Sequence, residues 1–337
     1  MASTNNKTAA SPNKNESDQL TQQIEDLSIN NDTSTICANC GKVVGNPNIC
    51  NKCKAATYCN AACKKKHRHK HKEACEKRVA EMHEEQLERK RRAAELHDEK
   101  LFKKPPPNNE DCPICMLRLP SLETGARYRS CCGKEICSGC IHAVEKRDGV
   151  GLCPFCRTPT PTTDEEMIEQ YKKRIEVNDA TAIYNLGCCY FEGLHGLPQN
   201  RANALELWNR AGELGCANAH FNIGVAYKKG NGVERDMKKS VHYWDLAAIG
   251  GDAQARNNLG CLEALASNWE RATKHWLIAA GDGYSKSVKN IQDLYKHGHA
   301  TKDDYTKALL AYQKSIDEIR SEQRDIAAAF SDIYKYY

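Results

Sequence analysis

Polar and apolar residues are distributed in three different ways along the chain. The first 34 residues are rich in Asn, Ser, Thr and Lys and carry few apolar side chains. Such a stretch buries too little surface to offset the entropy of ordering, so a disordered tail is predicted over 1–34. Residues 76–104 contain neither Gly nor Pro, and their apolar members (Val79, Met82, Leu87, Leu96 and Leu101) are sparse among charges. Pairs such as Glu85/Arg89 and Glu88/Arg92 sit at i,i+4, which predicts a solvated charged helix over 76–104, stopped by Pro105, Pro106 and Pro107. Thr158–Asp164 (TPTPTTD) reads as a linker whose last residues can cap a following helix.

From about residue 165 the pattern is helical and repeats itself. A Gly-centred segment recurs as NLGCCY at Gly187, NIGVAY at Gly224 and NLGCLE at Gly260, with Gln292 in the fourth such position. It alternates with an aromatic at Trp208, Trp244, Trp276 and Tyr312. Each of the first three aromatics precedes the next Gly-type position by 16 residues, whereas the distance from Gly-type position to aromatic is 21, 20, 16 and 20. One connection is fixed and the other absorbs all the length variation, as in a two-helix repeat with one turn packed between neighbours. Small residues follow each Trp: Ala211, Gly212 and Gly215; Ala247, Ala248 and Gly251; Ala279, Ala280 and Gly283. They permit close helix approach, and the last Gly suits a helix C-terminus. Ser315, Ile316 and Ile319 replace them in the fourth unit, as in a terminal cap. These marks resemble the Sel1-like repeats, relatives of the tetratricopeptide repeats, over roughly 178–320; the third unit, Asn258 to Gly283, departs by lacking the G-x-G loop. The resemblance implies an all-α solenoid of helix-turn-helix repeats over 165–320 that binds a protein substrate or adaptor and has no catalytic activity of its own. A C-terminal helical cap or tail is expected over 321–337.

Composition limits the rest of the chain. Only 40% of the 337 residues are hydrophobic and 7% aromatic, so one large core is not expected. Small domains without a core need disulfides or metal, and 15 of the 19 cysteines lie between Cys37 and Cys156, mostly as Cys-x2-Cys pairs. The N-terminus lacks the apolar segment of a secretory signal, and no apolar run approaches the length of a membrane span. A cytoplasmic and/or nuclear location without a membrane partner is therefore expected, where paired cysteines are metal ligands more often than disulfides. Net charge is +5, but residues 64–104 hold 15 Lys/Arg against 9 Asp/Glu, so any electrostatic partner is drawn to that segment.

The first cysteine block offers Cys37, Cys40, Cys50, Cys53, Cys59, Cys63, His71 and Cys75. Eight thiolate and imidazole donors make two tetrahedral zinc sites, whereas a disulfide reading leaves one of seven cysteines unpaired and His71 unused. The block resembles a MYND-type zinc finger over 37–75, down to Tyr58 before the fifth ligand and the His-x3-Cys ending. The resemblance implies interleaved sites, Cys37, Cys40, Cys59 and Cys63 holding one zinc and Cys50, Cys53, His71 and Cys75 the other. It also implies a short proline-containing peptide as ligand. The aromatic usual five residues after the sixth ligand is replaced by Arg68, inside KKKHRHKHK. His67 and His69 are further imidazoles there; the family register selects His71. The basic run lacks interleaved aromatics, so nucleic acid is not the expected partner, although an RNA-associated reading remains a third alternative. MYND fingers also occur in lysine methyltransferases, but the repeats after residue 160 leave no room for a methyltransferase sheet.

The second block supplies Cys112, Cys115, Cys131, Cys132, Cys137, Cys140, Cys153 and Cys156, again enough for two tetrahedral sites and four zinc ions in all. It resembles a RING domain of the all-cysteine, C4C4-like type over 108–160, with Lys134 where the usual histidine stands. The cross-brace order implied by the resemblance joins Cys112, Cys115, Cys137 and Cys140 on one zinc. It joins Cys131, Cys132, Cys153 and Cys156 on the other. Ile114 and Pro154 match contacts that RING domains make with a ubiquitin-conjugating enzyme. Arg157, directly after the eighth ligand, matches the linchpin cation that favours the reactive thioester. The resemblance thus implies a RING-type ubiquitin ligase, with catalysis by positioning and no nucleophile of its own; the alternative is a non-catalytic zinc scaffold or adaptor for protein-protein interactions. Cys188 and Cys261 occupy equivalent repeat positions, where the second unit has Val225, and read with Cys189 and Cys216 as helix packing. His220, His242 and His275 have no partners at metal spacing. The fold expected is multidomain: two small zinc-stabilised cross-brace-type domains followed by the solenoid.

Overall fold

The computed structural model describes residues 36–45, 47–103, 111–120, 125–149 and 151–337. The tail expected over 1–34 lies outside them. The chain divides into two units, one ending at Ala94 and the other beginning at Glu95.

The first unit is a hairpin block followed by a helix. Strand β1 (Asn48–Ile49) pairs antiparallel with β2 (Thr57–Tyr58), in register Asn48 to Tyr58. Helix α1 then runs Ala61–Phe102, 42 residues, so it begins inside the cysteine block, and Cys63, His71 and Cys75 lie on the same helix as the charged run. Asn60 accepts the Cys63 amide at 2.9 Å and caps its first turn. The core here is Cys37, Val44, Cys50, Cys53, Tyr58 and Cys75. Four of its six members are thiols, too little apolar surface to hold a fold without a metal.

The second unit opens with the end of α1, residues 95–102, and then holds another small block: β3 (Ala126–Arg129) antiparallel to β4 (Lys134–Cys137), then α2 (Ser138–Asp148). The solenoid follows as α3 (Asp164–Glu176), α4 (Ala180–Glu192), α5 (Arg201–Glu213), α6 (Ala217–Lys229), α7 (Met237–Ile249), α8 (Ala253–Leu265), α9 (Trp269–Gly281), α10 (Ser285–Lys296), α11 (Lys302–Ile319) and α12 (Glu322–Phe330). Side-chain caps start most of these helices: Thr163, Asp179, Asn200, Asp236, Asp252, Thr301 and Ser321 each accept backbone amides. Gly193 and Gly230 end α4 and α6 in the left-handed conformation, at φ 72° and 74°. The third unit, which lacks a glycine there, uses Ser267 at φ 62° to make a shorter turn.

The repeat marks have a direct packing role. The Gly of α4, α6 and α8 each faces the Trp of the next helix, α5, α7 and α9: an added Cβ would fall 2.7 Å from Trp208 at Gly187, 2.5 Å from Trp244 at Gly224 and 2.5 Å from Trp276 at Gly260. The small residues after each Trp are buried, Ala211, Ala247, Ala248, Ala279 and Ala280 all at 0% exposure. Gly215, Gly251 and Gly283 take φ 94°, 94° and 85°, values that a side chain would strain.

The second cysteine block is seated against both ends of the solenoid. Tyr128 donates to Asp179 at 2.8 Å and Ser130 to Gln170 at 2.7 Å on the α3–α4 side. At the other end α12 packs on α2, and Ala327 and Tyr334 complete the block's core of Cys112, Leu119, Ile136, Cys137, Cys140, Ile141 and Cys153.

Candidate metal centres and their surroundings

Four turns of one kind build the sites. In Cys37–Gly41, Cys50–Lys54, Cys112–Met116 and Cys153–Arg157, the amide of the fifth residue donates to the carbonyl of the first at 2.9–3.0 Å. The fifth residue takes a left-handed φ: 73° at Gly41, 56° at Lys54, 56° at Met116 and 62° at Arg157. This turn points the two cysteines of each Cys-x2-Cys toward one point. Three of the four left-handed residues carry side chains, at roughly 1–2 kcal/mol of backbone strain each.

Sulfur and nitrogen atoms gather into four groups, each with its ligand atoms within 4.8 Å of one another. They are Cys37, Cys40, Cys59 and Cys63; Cys50, Cys53, His71 and Cys75; Cys112, Cys115, Cys137 and Cys140; and Cys131, Cys132, Cys153 and Cys156. The structure therefore brings together the donors of each set named from sequence, including the adjacent Cys131 and Cys132. Sulfur–sulfur separations run from 3.4 Å (Cys131 to Cys156) through 3.7 Å (Cys40 to Cys59, Cys50 to Cys75, Cys115 to Cys137) to 3.9 Å (Cys132 to Cys153). These are far beyond a disulfide of about 2.05 Å. They match the edge of about 3.8 Å expected of a tetrahedron with metal–sulfur bonds of about 2.3 Å. The donor sets, S4 three times and S3N once, fit zinc.

Protons alone leave such a group frustrated. The Cys59 amide beside Cys37 holds that thiol down to about 6, while Cys59 itself, against the Cys63 sulfur, is pushed up to about 12. One thiolate forms at its neighbours' expense; a central dication lets all four ionise. His71 and Cys75 sit at i,i+4 on α1 and so face one site, with His71 Nε2 3.2 Å from the Cys53 sulfur. His67 stands 3.3 Å from the Tyr58 hydroxyl and stacks on His71, outside the ligand set. His69 and Arg68 are exposed, as is Lys134 on β4.

Around the second pair of sites, Ile114 is 39% exposed and Phe155 46%, while Pro154 is half-buried. Arg157 projects from its left-handed position and donates to Asp148, the last residue of α2, at 2.7 Å. Arg147 and Arg157 hold the Asp148 carboxyl well below the usual carboxylate range. Two further residues gave no sequence signal. Arg324, on α12, is fully buried and donates to the carbonyls of Arg118 at 2.8 Å and Ile319 at 2.6 Å, with Nη2 3.8 Å from the Cys115 sulfur. Gln323 lies 3.7 Å from the Cys140 sulfur.

In the repeats Cys189 is buried and Cys188, Cys216 and Cys261 are half-buried, packed in the helix cores. His275 is 1% exposed, and His220 lies beneath the space of Gly212. Among the described residues no other His, Cys, Asp and Glu group converges on a common point. No helix among them is long and apolar enough to cross a membrane.

Two segments of the chain match known families. Residues 37–75 match the MYND finger, and residues 180–216 and 217–252 match the Sel1 repeat. Over 114 residues the chain is 28% identical to a protein of Arabidopsis thaliana named ERAD-associated E3 ubiquitin-protein ligase component HRD3B, covering 33% of this chain and 18% of that one. Over 75 residues it is 35% identical to E3 ubiquitin-protein ligase GW2 of rice (Oryza sativa subsp. indica), covering 19% and 17%. Over 99 residues it is 29% identical to E3 ubiquitin-protein ligase RNF182 of Ailuropoda melanoleuca, covering 28% and 37%. The chain thus spans less than a fifth of the length of the first two. A Sel1 repeat protein of known structure from Oxalobacter formigenes superposes with a TM-score of 0.42 at 26% identity, covering 53% of this chain and 71% of that one. The protein carries a MYND finger, a second cysteine block built for two metals, and a solenoid of Sel1 repeats.

Proposed function

We propose that the second cysteine block acts as a RING-type ubiquitin ligase and that the Sel1 repeats recruit the protein substrate. The observation that carries this reading is Arg157, an exposed cation fixed immediately after the eighth cysteine by the turn that also orients the metal ligands. The exposed side chain of Ile114, in the corresponding turn of the first Cys-x2-Cys, supplies an apolar contact for a conjugating enzyme. Partial similarity to proteins named ubiquitin ligases supports the same reading. In the reaction a substrate lysine amine attacks the thioester carbonyl of the conjugating enzyme's ubiquitin. The carbon–sulfur bond breaks, an isopeptide carbon–nitrogen bond forms, the thiolate departs with the conjugating enzyme and the amine proton passes to solvent. The block contributes no reacting group; it holds the thioester in an attack-ready conformer. Zinc, when bound, supplies folding energy alone.

The left-handed backbone at Arg157 dictates the variant that tests this. Arg157→Gly removes the guanidinium while suiting the turn better than arginine does. Autoubiquitination with a panel of conjugating enzymes is expected to fall at least tenfold in Arg157→Gly and Ile114→Ala, with zinc content unchanged. A wild-type chain inactive with every conjugating enzyme supports the adaptor reading instead, which the engagement of Arg157 by Asp148 favours.

A further inference from the structure

Residues 95–102, the end of α1, are held by the repeats as a peptide ligand is held. Leu101 is 2% exposed, set among Trp244, Ala247 and Ala248 of α7 and Ala255 and Leu259 of α8. The Phe102 ring lies 4.7 Å from the His275 imidazole, with the Arg271 guanidinium 5.1 Å above it. Polar pairs flank this apolar tip: Asp98 is ion-paired with Arg271, and His97 Nε2 reaches Asp245 at 3.4 Å. Leu96, by contrast, remains 54% exposed, so only one edge of the helix end is engaged.

The floor of this slot is unusual. Arg256 is at 0% exposure, and the charge that favours it there is the Asp282 carboxylate. Its Nη1 donates to the Leu101 carbonyl at 2.7 Å and its Nη2 to the Ala248 carbonyl at 2.8 Å. Its Nε has no hydrogen-bond partner among the described residues. A buried cation satisfied by carbonyls at the negative ends of two helices, Leu101 of α1 and Ala248 of α7, is a receptor for helix C-termini rather than a piece of apolar core.

We infer that the slot formed by α7, α8 and α9 is a binding site for helical peptides whose last turn carries an acidic residue three positions before a Leu-aromatic pair. In this chain Asp98, Leu101 and Phe102 are its intramolecular occupant, and a partner with the same signature displaces them. Tethering gives the internal segment an effective concentration in the millimolar range, which keeps weak competitors out. A competitor that also offers a carboxylate to Arg256 gains a charge-assisted hydrogen bond that the internal segment lacks. The inference deepens the recruiting role proposed for the repeats. Its readout is binding, so an inactive ligase leaves it standing and a failed binding test leaves the ligase assay untouched.

The test is fluorescence polarisation of a labelled peptide spanning residues 88–103, titrated with the full chain. Wild type is expected to bind it at least tenfold more weakly than Leu101→Asp or Phe102→Ala, in which the internal segment is released. Adding Arg256→Met to either is expected to remove binding. Released chains that keep their zinc and helical unfolding transition but do not take up the peptide overturn the inference. So does loss of the folded transition in both released variants, which makes the segment a core element and nothing more.

Discussion

Gly260 lies under the indole of Trp276, so close that a Cβ at that position would stand 2.5 Å from Nε1. Trp276 Nε1 donates in turn to the Asn257 carbonyl at 3.2 Å, which pins the ring over the glycine. Alanine is the better helix former by about 1 kcal/mol, but the clash is with a ring that cannot swing away. Gly260→Ala is therefore expected to lower stability by about 1–3 kcal/mol. Gly281→Ala, where the new methyl meets only the Ala311 Cβ at 3.9 Å, is the control and should be neutral or slightly stabilising. Thermal unfolding of the two chains decides; equal melting points would show that the glycine is not there to receive the ring.

Metal removal has a countable outcome. The purified chain should hold four zinc ions, and a thiol reagent should find at most the four repeat cysteines, Cys188, Cys189, Cys216 and Cys261. After treatment with a strong chelator the other 15 cysteines should react as well, with loss of folded structure in both blocks. Zinc content of two or fewer would remove one pair of sites.

Arg324 ties α12 to the second cysteine block through backbone carbonyls. Arg324→Met strands those acceptors in a buried place, and a loss of about 1–3 kcal/mol is expected. Hydrogen exchange should locate the effect, with faster exchange of the α2 and α12 amides and little change in α6 and α7. Uniform exchange across the chain would contradict the local role.

His275 predicts a pH dependence. Burial, reinforced by the nearby Arg256 charge, holds its imidazole down to about 4, against an ordinary value of 6.5. Below 6.5 the unfolded chain takes up a proton that the folded chain refuses, so stability is level above 6.5 and falls as pH drops from 6.5 toward 4. The slope approaches about 1.4 kcal/mol per pH unit within that window. Because the thiol sites are acid-sensitive too, the measurement is a comparison: urea midpoints of wild type and His275→Gln at pH 7.5 and pH 5.5. Wild type should lose more on acidification. Equal losses would mean that His275 does not titrate as its burial demands.

Much of this architecture was legible because zinc ligation and repeat packing both impose spacing. Cys-x2-Cys pairs announce their partners, and Gly187, Gly224 and Gly260 mark where a tryptophan must land. Which glycine meets which tryptophan was not legible, since the contact crosses the connection whose length varies. Leu101 read as one apolar residue on a solvated helix, because its environment is assembled from helices far away in sequence. Arg324 and Arg256 gave no pattern at all: a buried cation satisfied by backbone carbonyls pairs with no particular residue type. The left-handed turns at Lys54, Met116 and Arg157 were hidden for a similar reason, since glycine is the only residue that advertises that conformation.

Seating one block against both α3–α4 and α11–α12 has a mechanical consequence. A solenoid with free ends behaves as a spring, and each added or loosened repeat changes its pitch. Here the two ends are clamped to a single zinc-stiffened piece through Tyr128 and Ser130 on one side and Arg324 on the other. Neither end of the helical array can therefore swing open without first breaking its hydrogen bonds to the block.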